Sequence, residues 1–302
     1  MLHKEIVLIT GASGMIAKKL ATLLQQSNYE VRFLSRTKKN ANQFIWNIAA
    51  GFIDPNALKD VEHIIHLAGA NISDERWSNN RKKAILESRV QSTQLLYEKI
   101  KEENISLKTF ITASAVGYYG TPKENVLFTE ESSNGNDFLA EVCLLWEMEA
   151  EHFAALENVR VVKLRFGVVL DSSSGALAKM IKPIKMGFGA VLGNGQQYIP
   201  WIHLEDLCQL LLFSLKNTAM NGVYNAVAPQ YLTNKELTYL LAKKLNRKIC
   251  LPKIPKFVLR LILGEMASIV LKGNRISSKK LLSTGFTFNY PEIEKALDDL
   301  FK

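Results

Sequence analysis

The chain has 302 residues, 47% of them hydrophobic, a balance suited to one large α/β domain with an appendage or to two domains. Its formal charge is +9, but the basic residues come in small groups ("RTKK" at 36–39, "RKK" at 81–83, "KK" at 279–280). No long basic tract or aromatic-interleaved patch argues for nucleic acid. Three scattered cysteines, Cys143, Cys208 and Cys250, argue against a disulfide framework or a C-x-x-C metal site and favour a reducing, cytoplasmic setting.

"EIVLIT" reads as a buried strand, too short for a signal-peptide core, and "SGMIAKKLATLLQQSN" as an amphipathic helix. "YEVRFLSR" is a second strand and "VEHIIHLAG" a third, followed by a helix through "RKKAILESRVQSTQLLYEKIKEEN". "KTFITASAVGYYG" is a fourth strand with a polar end; "DFLAEVCLLWEMEAEHF" is a helix that Asp137 can cap, and "VRVVKLRFGVVLD" returns to strand. Strands alternating with helices predict an α/β fold, a doubly wound parallel sheet of Rossmann-like type with ligands at the carboxyl ends of its strands.

After Asp171 the pattern loosens. A loop and short strand lead to a helix opened by Asp206 or a neighbour, and a later helix is capped by Thr233 or Asn234. The predicted division is a dinucleotide-binding domain over 1–248, with substrate-side segments within 171–248, and a small C-terminal subdomain over 249–302. The stretch "FVLRLILGEMASIVL" is interrupted by Arg260 and Glu265 and falls short of the ~20 residues of a membrane span, so no membrane partner is expected.

"TGASGMIA" places Gly11, Gly14 and Ala17 as G-x-x-G-x-x-A between a strand and a helix, the context in which this spacing binds a dinucleotide. Gly11 permits the tight turn, and Gly14 lets the backbone approach a pyrophosphate at the helix N-terminus. Ser13, Met15 and Ile16 complete the loop. The second strand ends in Ser35 and Arg36, where an acid would meet a free ribose 2′-hydroxyl; the basic group, with Lys38 and Lys39 after it, suits a 2′-phosphate and predicts NADP(H).

With "HLAGANISDERWSNNRKKAILESRVQST", "TASAVGYYG", "TEESSNGNDFLAEVCLLWE", "LRFGVVL", "WIHLEDL" and the tail "GEMASIVLKGNRISSKKLLSTGFTFNYPEIEKAL", the chain resembles the extended short-chain dehydrogenase/reductase superfamily, and within it the epimerase family protein group. The resemblance covers almost the whole chain, including that group's own C-terminal segment. It implies that Leu67, Ala68 and Gly69 pass over the cofactor, that Ser114 matches the superfamily's active-site serine, that Arg165 approaches the nicotinamide end, and that His203 lies toward the substrate side.

The same resemblance exposes a departure. Most of the superfamily carries a Tyr and, four residues later, a Lys on the helix at 137–153, the Lys lowering the Tyr pKa by its charge. Here that helix has neither: one alignment puts Leu139 and Cys143 at those positions, another Phe138 and Val142. Tyr118 is the nearest phenol to Ser114, with Tyr119 next to it. Cys143 on an apolar helix is expected to be inert. Glu141 and Glu147 are expected to be solvated or paired with basic neighbours. Arg89 takes the place of the superfamily's Asn in "N-V-x-G-T", with Lys82 seven residues earlier on nearly the same face. A desolvated Arg89 needs an anionic partner, either a substrate group or a protein carboxylate. Arg76 and Trp77 stand before the helix, placed to close over a ligand.

The candidate catalytic residues are therefore Ser114, Tyr118 and Arg89, the candidate substrate contacts Arg76, Trp77, Lys82 and His203, and no metal ligands are expected. Two functions stay open: an NADP(H)-dependent oxidoreductase or epimerase acting on a small, anionic or sugar-like substrate, as monomer or homodimer, or a non-catalytic NADP(H)-dependent binding or regulatory protein, which a link in name between relatives and cell division keeps in view.

Overall fold

The run Ile6–Thr10 is buried along its whole length and forms β1, near the middle of the sheet. Its side chains alternate, Val7 and Ile9 entering the core on one face and Ile6 and Leu8 on the other. This is a computed structural model, and it describes residues 4–121 and 126–302. From β1 the chain passes through α1 (Met15–Gln26), β2 (Glu30–Ser35), β3 (Gln43–Asn47), β4 (Phe52–Ile53), α2 (Pro55–Leu58), β5 (His63–His66), α3 (Asn79–Glu102), β6 (Thr109–Ala115), β7 (Leu127–Phe128), α4 (Phe138–Glu151), β8 (Arg160–Phe166) and β9 (Val168–Leu170). It continues with α5 (Gly175–Lys185), β10 (Trp201–His203), α6 (Leu204–Lys216), β11 (Gly222–Ala226), α7 (Asn234–Lys244), α8 (Lys256–Leu263), α9 (Ser268–Leu271), β12 (Arg275–Ile276), α10 (Lys279–Leu282) and α11 (Ile293–Leu300).

The main sheet runs β11-β8-β6-β5-β1-β2-β3-β4, parallel except for the β3–β4 pair. Leu20 and Leu24 of α1 and Leu207, Leu210 and Leu211 of α6 cover one face; Leu95, Leu96 and Ile100 of α3, with Ala150 of α4, cover the other. Helices on both faces bury both sides of the strands, which is why β1 reads as a nearly continuous apolar run and β5 is buried along its whole length. The expected doubly wound α/β architecture is present. The sequence reading missed β3 and β4, a short strand and a two-residue strand at the sheet edge.

Local signals placed several helix starts. Ser78 accepts from Arg81 N at 3.2 Å to open α3, and Asp137 accepts from Ala140 N at 3.2 Å to open α4. Thr233 and Glu236 form a full capping box on α7. The α6 start differs: His203, not Asp206, is the cap, its Nδ1 accepting from Glu205 N at 3.2 Å. Asp206 is instead buried, accepting from the N–H groups of Asn289 and Tyr290 at 2.7 and 3.0 Å and so tethering the C-terminal segment.

That segment packs into the body of the molecule. β12 pairs with β7; Leu281 and Phe286 join the cluster around α1 and α6; Ile293, Ala296 and Leu297 of α11 pack with Leu177, Trp201 and Leu237. The apolar stretch at 257–271 is broken by a positive φ at Gly264 (+60°) into α8, a 3₁₀ turn and α9. Among the described residues no helix is long and apolar enough to cross a membrane.

Candidate functional site

Gly11 has φ +76°, and a Cβ there would lie 3.0 Å from the Leu67 carbonyl oxygen. Glycine is thus required twice, for the turn and for the close approach of the loop after β5. Gly14 is the N-cap of α1 and offers no side chain, so the first-turn N–H groups of the helix have no side-chain acceptor. This is the arrangement that a pyrophosphate satisfies. Ser13 is exposed at the rim of the turn. Met15 is held by Ser174, whose Oγ lies 3.0 Å from its sulfur, and Ile16 packs against the core. Arg36, at the end of β2, is exposed and makes no hydrogen bond or ion pair with any described residue.

One device beneath this loop escaped the sequence reading. Thr10 Oγ1 accepts from the N–H groups of Leu67 and Ala68 at 3.0 and 2.9 Å. Its proton must therefore go to His66 Nδ1, 2.8 Å away, which leaves His66 protonated on Nε2 and donating to Ser92 Oγ at 3.1 Å. Ser92 passes its proton to Ser88 O at 2.7 Å. The chain of bonds fixes the Leu67–Gly69 loop against both β1 and α3. Full burial, aided by the charge of Arg89, pushes the His66 pKa down to about 3.

The sign of the resulting pH dependence follows. The unfolded chain binds a proton at His66 below about pH 6.5 and the folded chain does not, so this contribution is complete above pH 6.5 and is lost as pH falls toward 3. Between pH 7 and pH 5 the protein is expected to lose about 2 kcal/mol more than a His66→Gln variant. Chemical denaturation of both at the two pH values measures this; equal losses would show that His66 protonates freely in the fold.

Ser114 and Arg165 are register partners on β6 and β8, and Glu147 of α4 lies over both. Arg165 grips Glu147 with two parallel hydrogen bonds of 2.8 Å, from Nε and Nη2. Ser114 Oγ donates to the same carboxylate at 2.6 Å. Arg165 Nη1 donates to Tyr119 Oη at 2.9 Å, and Tyr119 donates to Asn225 Oδ1 at 2.6 Å. Burial opposes the Arg165 charge, but the Glu147 carboxylate more than offsets this and holds the guanidinium pKa above its ordinary value. Tyr119 is pushed up to about 12 by burial. Tyr118 is half-buried, with the Arg165 guanidinium carbon 3.4 Å from its ring centroid. Glu147, expected to be solvated or paired with a basic neighbour, is the carboxylate at the hub of this network. The fully buried thiol of Cys143 is pushed up to about 12, first by desolvation and then by Glu147.

Arg89 reaches under Gly69. Nη1 donates to Ile85 O at 2.9 Å and Ala70 O at 3.1 Å, and the guanidinium lies 5.2 Å from the Trp146 ring. A Cβ on Gly69 would come within 3.0 Å of it. No described carboxylate pairs with it. Lys82, two turns earlier, turns away to Glu265 and lies 5.5 Å from the Phe138 ring. A separation of about 10 Å along the helix keeps the two cations from sharing one small anion.

Trp77, Phe138 and Leu139 form one wall of a cavity of about 740 Å³. Asn194, Gln197, Lys256, Arg260 and Glu265 are on its other sides, so the C-terminal segment closes it. Trp77 is fixed by a 2.8 Å bond from Nε1 to Ile72 O and by edge contact with Phe138. Arg76 packs its guanidinium on Gly264 at the rim. The structure thus gathers Arg76, Trp77 and Lys82. It does not bring His203 to them: His203 stacks on Tyr290 with ring centroids 4.0 Å apart and faces Asp299, neither of which lines the cavity. The sequence reading missed Lys256, Arg260 and the amide wall, which nothing short of the folded tail places here.

Comparison with known proteins places this geometry. Residues 7–226 match the family described as "NAD dependent epimerase/dehydratase family", and residues 254–300 match a "Domain of unknown function (DUF1731)". The chain belongs to the NAD-dependent epimerase/dehydratase family. It is 37% identical to the "Epimerase family protein ML0860" of Mycobacterium leprae, over 98% of this chain and 95% of that one. It is 34% identical to the "Epimerase family protein YfhF" of Bacillus subtilis, over 97% of each. The crystal structure of the human epimerase family protein SDR39U1 with NADPH superposes with a TM-score of 0.89 at 30% identity, covering 98% of this chain and 99% of that one. Family membership and the NADPH-bound human relative support an NAD(P)-binding, epimerase-like protein. Helix α4 itself carries neither Tyr nor Lys.

Proposed function

We propose that the chain binds NADP(H) in preference to NAD(H) and acts on a small, anionic or sugar-like substrate held in the cavity beside Trp77. The observation that carries the cofactor choice is Arg36, an exposed residue at the end of β2 with no hydrogen-bond or ion-pair partner among the described residues, where a ribose 2′-phosphate would accept its hydrogen bonds. The Gly11–Gly14 turn and the uncapped start of α1 would hold the pyrophosphate. Bound nicotinamide supplies hydride transfer; the chain's own residues position the substrate. Arg89, with backbone bonds and no carboxylate partner among the described residues, would meet an anionic substrate group under the Leu67–Gly69 loop. Tyr118, on the turn after Ser114, would be the phenol that exchanges a proton.

Calorimetric titration with each reduced cofactor tests the reading. NADPH is expected to bind about 10- to 100-fold more tightly than NADH, the range of one or two charge-assisted hydrogen bonds; equal affinities overturn it. A second reading, a sensor that binds NADP(H) without turnover, draws support from the Ser114–Glu147 bond: the serine that would contact substrate is already committed to a buried carboxylate. Oxidation of enzyme-bound NADPH by any metabolite in a panel separates the two, since a sensor leaves it reduced.

A further inference from the structure

Helix α8 is oriented against the usual pattern. Of its eight residues only Leu259 is buried, while Phe257, Leu261 and Ile262 are 71%, 76% and 61% exposed. Surface helices ordinarily turn such residues inward. Residues 237–264 also hold seven Lys/Arg and no Asp or Glu. Lys253, Lys256 and Arg260, which flank or share the helix with the apolar triplet, are exposed and form no ion pair with a described residue.

We infer that α8 is a docking element for an anionic lipid surface, with Phe257, Leu261 and Ile262 entering the headgroup boundary and Lys253, Lys256 and Arg260 meeting the lipid charges. An apolar face edged by cations is the chemistry that such a surface recognises. A second copy of the chain is the poorer occupant. A two-fold contact would set the same cations against themselves. The sequence reading expected no membrane partner because the apolar stretch is too short to span, and that argument does not reach a helix lying on the surface. Lys256 and Arg260 also line the cavity beside Trp77, so docking would bring its mouth to the lipid face.

The test is sedimentation of the full chain with vesicles of phosphatidylcholine alone and of phosphatidylcholine mixed with phosphatidylserine. Binding is expected to be at least about tenfold stronger to the anionic vesicles, since each cation near the surface contributes on the order of fivefold. Phe257→Ser with Leu261→Ser should lower it by a further tenfold or more. The same double variant should keep NADPH affinity, because neither residue is part of the glycine loop or the Arg36 region. Lys253→Glu should weaken vesicle binding and leave the cofactor untouched. No preference for anionic vesicles overturns the inference. So does equal vesicle binding by the double variant, which would assign the effect to the overall charge of +9. A dimer in analytical ultracentrifugation that the double substitution dissociates overturns it in favour of a second copy.

Discussion

Glu147→Ala is expected to lower the stability of the fold by about 3–5 kcal/mol, because it strips the partner from a charge that the fold has desolvated. Arg165 is 3% exposed and spends Nε and Nη2 on that carboxylate, and Ser114 donates to it as well. Removing the acid leaves three donors unsatisfied and a cation uncompensated between β6 and β8. Glu147→Gln keeps the shape and one acceptor oxygen and should cost less. Replacing the pair together, Glu147→Leu with Arg165→Met, should recover much of the loss, since a well-packed apolar pair is often equivalent to a buried ion pair. Urea denaturation of the three variants orders them. A loss below about 1 kcal/mol for Glu147→Ala would mean that water reaches Arg165 and that the network is not dry.

Arg36→Asp is expected to reverse cofactor choice. In the unaltered chain the guanidinium would donate to a 2′-phosphate, a charge-assisted contact worth about 1.5–3 kcal/mol. The substitution removes that donor, sets a carboxylate against the phosphate, and supplies an acceptor for a free 2′-hydroxyl. NADPH affinity should fall by about 100-fold or more, while NADH affinity holds or rises. Arg36 makes no hydrogen bond or ion pair with a described residue, so the fold should respond little, and thermal unfolding without cofactor serves as the control. Unchanged NADPH affinity in a stable variant would move the 2′-phosphate contact to Lys38 or Lys39.

The sequence by itself determined the glycine turn and the helix start at the head of the sheet. Gly11 and Gly14 could be read directly because a tight turn and a helix start are local in the chain, whereas the approach of Leu67 to Gly11 is not. The position of Arg36 could be read because β2 follows α1 after a short turn and ends one residue before it. The caps at Asp137 and Thr233 were legible for the same reason: an Asp or Thr side chain bonds backbone only three residues away. The tertiary structure decided the rest. Ser114, Glu147, Arg165, Tyr119 and Asn225 are separated by up to 106 residues along the network's hydrogen bonds, and only the β6–β8–β11 order and the lie of α4 across it bring them into contact. His66 looked like the end of an apolar strand; its role depends on Thr10 and Ser92, which pairing of β1 with β5 and packing of α3 deliver. The cavity was invisible for the same reason, since the tail that closes it docks through Asp206, β7 and the α11 cluster rather than through any local signal. Backbone geometry within a turn is fixed by neighbouring residues, whereas the partner of a buried charge is chosen by whichever distant element the core packs against it.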